Sequence, residues 1–139
     1  MRLVLFDLDG TLLWTDGAGR RAIHRALVDV LGTPGPIEGF RFDGRTDGEI
    51  VIRLAEGAGI APTDALVDDV LARYVTCLQD ELAKPTQHTT VYPGVGALLD
   101  ALEARADCRL GLLTGNVRTG ARFKLASGGL DIDRFRIGA

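Results

Sequence analysis

The sequence predicts an α/β fold: an open parallel sheet interrupted early by an all-helical insert. Three observations predict it. Leu3 to Phe6 is a short apolar run that ends abruptly at Asp7, with Asp9-Gly10-Thr11 just beyond. Leu110-Gly111-Leu112-Leu113 is a second such run, ending in Thr114-Gly115-Asn116. Between them, from 14 to 85, apolar residues recur at helical spacing and no good strand is seen.

The elements follow in order. Leu3–Phe6 is apolar without alternation and reads as a strand buried on both faces. Ala18 to Leu31 carries Ile23, Ala26, Leu27, Val30 and Leu31 on one side, and Gly32 stops it. Thr33-Pro34-Gly35-Pro36 is a turn. Thr46-x-x-Glu49 has the form of a capping box opening a helix to Gly57 or Gly59. Thr63 or Asp64 caps the longest helix, whose stripe is Leu66, Val67, Val70, Leu71, Tyr74, Val75, Leu78 and Leu82; Pro85 ends it. Pro93-Gly94 starts a helix with Val95, Leu98, Leu99 and Leu102 inward. After Leu110–Leu113 another helix runs to Ser127 and is closed by Gly128-Gly129, and Phe135 to Ala139 begins a third strand. Strand–helix–strand units of this size build a parallel sheet. A Rossmann-like core is therefore expected from residues 1–13 and 86–139, with a helical cap at 14–85.

At 139 residues the chain has room for one average domain, or one plus a small insert. A net charge of −3 gives no reason to expect nucleic acid or an acidic membrane surface as partner. The first apolar stretch is broken by Asp7 too soon for a signal peptide, and no run approaches a membrane span. Cys77 and Cys108, only two and far apart, suit reduced thiols and a cytoplasmic setting. His24 and His88 have no spacing that suggests a metal site, and Trp14 is expected to pack at the hinge of the insert.

The chemistry sits at the strand ends. Side chains two apart on an extended chain point the same way, so Asp7 and Asp9 aim at one site while Leu8 turns into packing. Open α/β sheets bind ligands at that edge. Two converging carboxylates suit a hard cation such as Mg2+, and one of them can also attack phosphorus to give an aspartyl-phosphate. Gly10 lets the chain turn, and Thr11 offers a hydroxyl and an N–H. A solvated Asp-Gly turn accounts for Asp9-Gly10 but gives no reason for Asp7.

Phe6-Asp7-Leu8-Asp9-Gly10-Thr11 resembles the first motif of the haloacid dehalogenase superfamily, and the order of elements resembles its members with a helical cap of the first type, such as phosphoglycolate phosphatases and β-phosphoglucomutases. The resemblance implies Asp7 as nucleophile, Asp9 as general acid/base, and Mg2+ held by the Asp7 carboxylate and the Asp9 backbone carbonyl. It implies that Thr114 hydrogen-bonds the transferring phosphoryl group. Gly115 allows close backbone approach, and Asn116 is placed to cap the next helix, whose N–H groups favour phosphate. The family also uses a lysine to neutralise charge. Lys84 sits by Pro85 at the return from the insert and reads as a solvated hinge residue; Lys124 either leans toward the site or faces solvent, with Arg122 a weaker substitute. In the insert, Gly44-Arg45-Thr46-Asp47 is the candidate substrate loop, with Arg45 suited to a carboxylate or phosphate.

The family's fourth motif, an acidic pair after a later strand, has no counterpart here: Asp131 and Asp133 precede the third strand and lie at its wrong end. The chain therefore reads as an N-terminal portion of a longer core, with its apolar first strand left on an edge. The function expected of the whole is Mg2+-dependent hydrolysis of a small organic phosphate monoester. A phosphomutase of the β-phosphoglucomutase type and a non-catalytic phosphate-binding module are the alternatives.

Overall fold

The computed structural model describes residues 1–138. Strands β1 (Arg2–Phe6), β4 (Cys108–Leu112) and β5 (Ile137–Gly138) form one parallel sheet in the order β1-β4-β5. Register runs from Arg2 opposite Cys108 to Phe6 opposite Leu112. Helices α4 (Val95–Glu103) and α5 (Arg118–Ser127) cover one face, where Val4, Phe6, Leu110 and Leu112 meet Leu99, Ala121 and Leu125. Phe135 is buried before β5 and packs edge-on against Phe6, with ring centroids 6.3 Å apart. Ala139, the end of the expected third strand, lies outside the described residues.

Among the described residues nothing covers the other face, which corrects the reading of β1 as buried on both sides. Leu3 and Leu5 are 48% and 44% exposed, and Ile137 of β5 is exposed on the same side. An apolar run without alternation marks a strand whose sides are both apolar, not one whose sides are both covered. Gly111 lies between Leu5 and Ile137, where a Cβ would come within 2.7 Å of a Leu5 methyl. Leu98 also departs from expectation and is exposed on α4.

The insert is built from three helices with their own apolar cluster: α1 (Ala18–Leu31), α2 (Asp47–Gly57) and α3 (Asp64–Leu82). Their bounds follow local chemistry. Gly32 ends α1 in the left-handed conformation, and its N–H donates to the Val28 carbonyl. Thr46 and Thr63 accept at their hydroxyls from the N–H groups of Glu49 and Leu66. Ala22, Ile23, Ala26 and Leu27 of α1 pack on Val70, Tyr74, Cys77 and Leu78 of α3. The two helices are antiparallel, since Arg21 reaches Glu81 while Asp29 reaches Arg73.

Glu81 organises that end of the insert. Its side chain is 1% exposed and is bound by Arg21, Arg25 and Lys84 at 2.7–3.0 Å. Burial would raise its carboxyl, but hydrogen bonds from Lys84, Arg21 and Arg25 outweigh that and hold it at about 2. Lys84 is half exposed and tied to this cluster.

Chain crossings between core and insert form a feature that helical periodicity does not reveal. Leu13–Trp14 (β2) and Thr90–Val91 (β3) pair antiparallel as a two-residue ribbon. Trp14 stands on it half exposed. Among the described residues no helix is long and apolar enough to cross a membrane.

Candidate active site

Asp7 leaves the end of β1 exposed to solvent, and its Oδ1 accepts the Leu8 N–H at 2.7 Å. Leu8 is fully buried and anchors the turn, as alternation requires. Gly10 takes a left-handed φ of 78°, and its N–H donates to the Leu13 carbonyl. The Thr11 N–H donates to the Leu8 carbonyl, so that group is spent inside the turn and is not offered to a ligand.

Residues after β4 close on Asp9 from the other side. Asn116 Nδ2 donates to Asp9 Oδ2 and to Thr114 Oγ1, each at 2.7 Å. Lys124 turns inward rather than to solvent: its side chain is 6% exposed and its Nζ lies 2.9 and 3.0 Å from the Asp9 oxygens. The same ammonium donates to Asn116 Oδ1 at 2.7 Å, so all three of its N–H bonds have acceptors. Gly19 of α1 makes room for it, because a Cβ there would lie 3.2 Å from Nζ and 3.9 Å from the Tyr74 hydroxyl. Burial pushes the Tyr74 phenol well above its ordinary value, with the charges of Asp47 and Asp9 adding to the effect.

Two expectations about this loop change. Asn116 does not cap α5, because its amide is turned onto Asp9, Thr114 and Lys124. The N-cap of α5 is Val117, whose N–H is taken by the carboxylate of Asp47 at 2.8 Å. The close approach at Gly115 is made by the insert itself: a Cβ there would meet the Arg45 carbonyl at 2.3 Å. The Asp47 N–H donates to the Gly115 carbonyl at 2.8 Å. Asp47 is 6% exposed, and burial raises its carboxyl to about 6 against the pull of the Val117 N–H and Lys124.

The guanidinium of Arg45 is engaged on the insert. It donates to Glu49 at 2.7 Å and to the Arg41 carbonyl at 3.1 Å, and lies over the Phe40 ring. Arg122 is exposed and lies over Phe123, away from Asp9. Asp131 accepts from the Asp133 N–H in a short turn at the other end of β5, so neither joins the site. The sequence gives Asp47 no role apart from the Gly44–Asp47 loop, since its partner Val117 is far away in the chain.

The donor chemistry of this corner fits a hard divalent cation. Asp7 presents a carboxylate to solvent with one oxygen outside the Leu8 hydrogen bond, beside Asp9, and Mg2+ is commonly held by one or two carboxylates plus waters. Among the described residues no group of three carboxylate, histidine or cysteine side chains gathers there.

An aspartate pair at a strand end, its second member bound by an asparagine and a buried lysine, defines a class of site, and the chain carries its pattern: residues 1–138 match the haloacid dehalogenase-like hydrolases, and the chain belongs to that family. It is 37% identical over 95 residues to a phosphoglycolate phosphatase of Pseudomonas putida, covering 68% of this chain and 34% of that protein. It is 34% identical over 131 residues to a phosphoglycolate phosphatase of Rhodospirillum rubrum, covering 93% and 54%. Among solved structures, CbbY from Rhodobacter sphaeroides in complex with phosphate superposes with a TM-score of 0.68 at 19% identity, over 99% of this chain and 62% of that one. The chain thus spans between a third and somewhat over half of the curated relatives it matches.

Proposed function

We propose that the protein hydrolyses a small organic phosphate monoester of the phosphoglycolate kind through an aspartyl-phosphate, with Mg2+ at the Asp7–Asp9 corner. The observation that carries this is the division of labour between the two aspartates. Asp7 is exposed and held by one local N–H, as a nucleophile must be; Asp9, two residues on, is fixed by Lys124 and Asn116. The two named phosphoglycolate phosphatases support the substrate class.

The steps follow from the residues. When Lys124 shifts from Asp9 to the arriving phosphate, Asp9 takes up a proton from solvent; an Asp7 oxygen then attacks phosphorus as the bond to the leaving oxygen breaks, and Asp9 delivers that proton to the leaving oxygen. Asp9 then takes a proton from the water that hydrolyses the aspartyl-phosphate, which restores Asp7. The Thr114 hydroxyl and the Lys124 ammonium lie on the same side and stabilise the equatorial oxygens. Lys124 rests on Asp9 without substrate and has an anion to move to when phosphate arrives. A bound Mg2+, held by the Asp7 carboxylate and the Asp9 backbone carbonyl, would offset repulsion between the carboxylate and an anionic phosphate. The insert packed over Gly115 keeps bulk water from that side.

In the protein that carries this chain, Asp7→Asn should abolish turnover of p-nitrophenyl phosphate with little change in melting temperature. Turnover at the wild-type rate would overturn the covalent mechanism.

A further inference from the structure

We propose that Asp47 is a latch by which the insert, when seated, fixes the shape of the Thr114–Val117 loop, making it a positioning residue for phosphoryl transfer; the proposal rests on the phosphatase reading above. One residue of the insert makes two hydrogen bonds to this loop. Its N–H donates to the Gly115 carbonyl and its carboxylate accepts from the Val117 N–H, both at 2.8 Å. The two anchor points flank Asn116. With the backbone held on each side, the Asn116 amide stays on Asp9, Thr114 and Lys124.

Three features show that the contact is built for this place. Helix α5 has no capping side chain of its own, because Val117 stands where a serine, threonine or aspartate usually does, so its first free N–H is satisfied from another element. Gly115 has no Cβ to hold off the Arg45 carbonyl, and α2 can therefore seat its first residue on the loop. An aspartate in the first turn of α2 would serve that helix equally well in water. This one is buried, with Lys124 and Asp9 as the charged groups that face it and Tyr74 nearby.

The test compares wild type, Asp47→Ala and Asp47→Asn in the protein that carries this chain. Amide hydrogen exchange at Val117, and at position 47, whose N–H donates to the Gly115 carbonyl, is read without substrate, and kcat and KM with p-nitrophenyl phosphate. In Asp47→Ala the Val117 amide should exchange about tenfold faster, the expected loss for a missing cap. Its kcat should fall about tenfold or more through misplacement of Asn116 and Lys124. Asp47→Asn keeps an acceptor oxygen and should restore both. Unchanged Val117 exchange in Asp47→Ala would overturn the latch, as would faster exchange with an unchanged kcat. An Asp47→Asn variant that protects Val117 yet stays as slow as Asp47→Ala would also overturn it, by showing that charge rather than geometry matters. The exchange measurement needs no turnover, so failure of the phosphatase reading, seen with Asp7→Asn, is separate from failure of the latch.

Discussion

Lys124 places all three of its N–H donors on Asp9 and Asn116, which leaves the side chain no role on the surface. Removing it with Lys124→Met should slow turnover of p-nitrophenyl phosphate about 100-fold or more, the loss seen when one charge-stabilising donor is deleted. The stability loss should be smaller than the 3–5 kcal/mol typical of breaking a buried pair, because Asp9 is 34% exposed and water reaches it. Kinetics and urea denaturation on the same variant check both. Asp7 and Asp9 were legible in sequence because their chemistry is contiguous with the strand that delivers them. Lys124 was not decided there: whether it turns to the site depends on the glycine at position 19 of another helix. Asp47 was passed over for the same reason, since hydrogen bonds across seventy residues leave no local signature.

Both ends of α1 and the starts of α2 and α3 are readable almost to the residue, because their caps are glycines or threonine side chains acting within four positions; the ends of α2 and α3, at Ala58 and Ala83, carry no such signal. The β2–β3 ribbon is not readable, since two residues per strand carry no period and the strands lie far apart in sequence. Outward Leu98 and the bare side of β1 were missed because apolar residues report a preference, not the presence of a neighbour. At this scale the ion cluster on Glu81 joins the end of α3 to the start of α1. Its carboxyl is held at about 2, below the usual value of 4.5, so its stabilising effect is full above about pH 4.5 and is lost as pH falls toward 2. Glu81→Gln should cost on the order of 2 kcal/mol at pH 7, reduced by the partial exposure of its arginines and lysine. That difference from wild type should shrink to nothing in melts run toward pH 2.

Across the whole molecule, two buried carboxyls titrate in opposite senses. Asp47, raised from 3.8 to about 6, makes the folded chain bind a proton more readily than the unfolded one, so its contribution is full below about pH 4 and is lost as pH rises through about 6. Replacing it by asparagine should flatten the fall in melting temperature between pH 4 and 7, while the loss on the acid side, due to Glu81, persists. Among the described residues the sheet also presents Leu3, Leu5 and Ile137 together on one face, so Leu5→Lys should leave the melting temperature little changed.

The β2–β3 ribbon gives the insert a different status when viewed as polymer chain. It is a hairpin whose loop is the insert, about 75 residues long, and closing so long a flexible loop costs about 4 kcal/mol in entropy. The folded insert removes most of that cost, because antiparallel α1 and α3 bring positions 18 and 82 to the same end before the ribbon pairs. Order in the insert is thus a condition for the crossing strands to find each other. Tyr74→Ala, which empties the centre of the α1–α3 contact, should loosen the ribbon as well as the helices, and faster hydrogen exchange at Tyr92, whose N–H donates to the Leu12 carbonyl across the crossing strands, would register it.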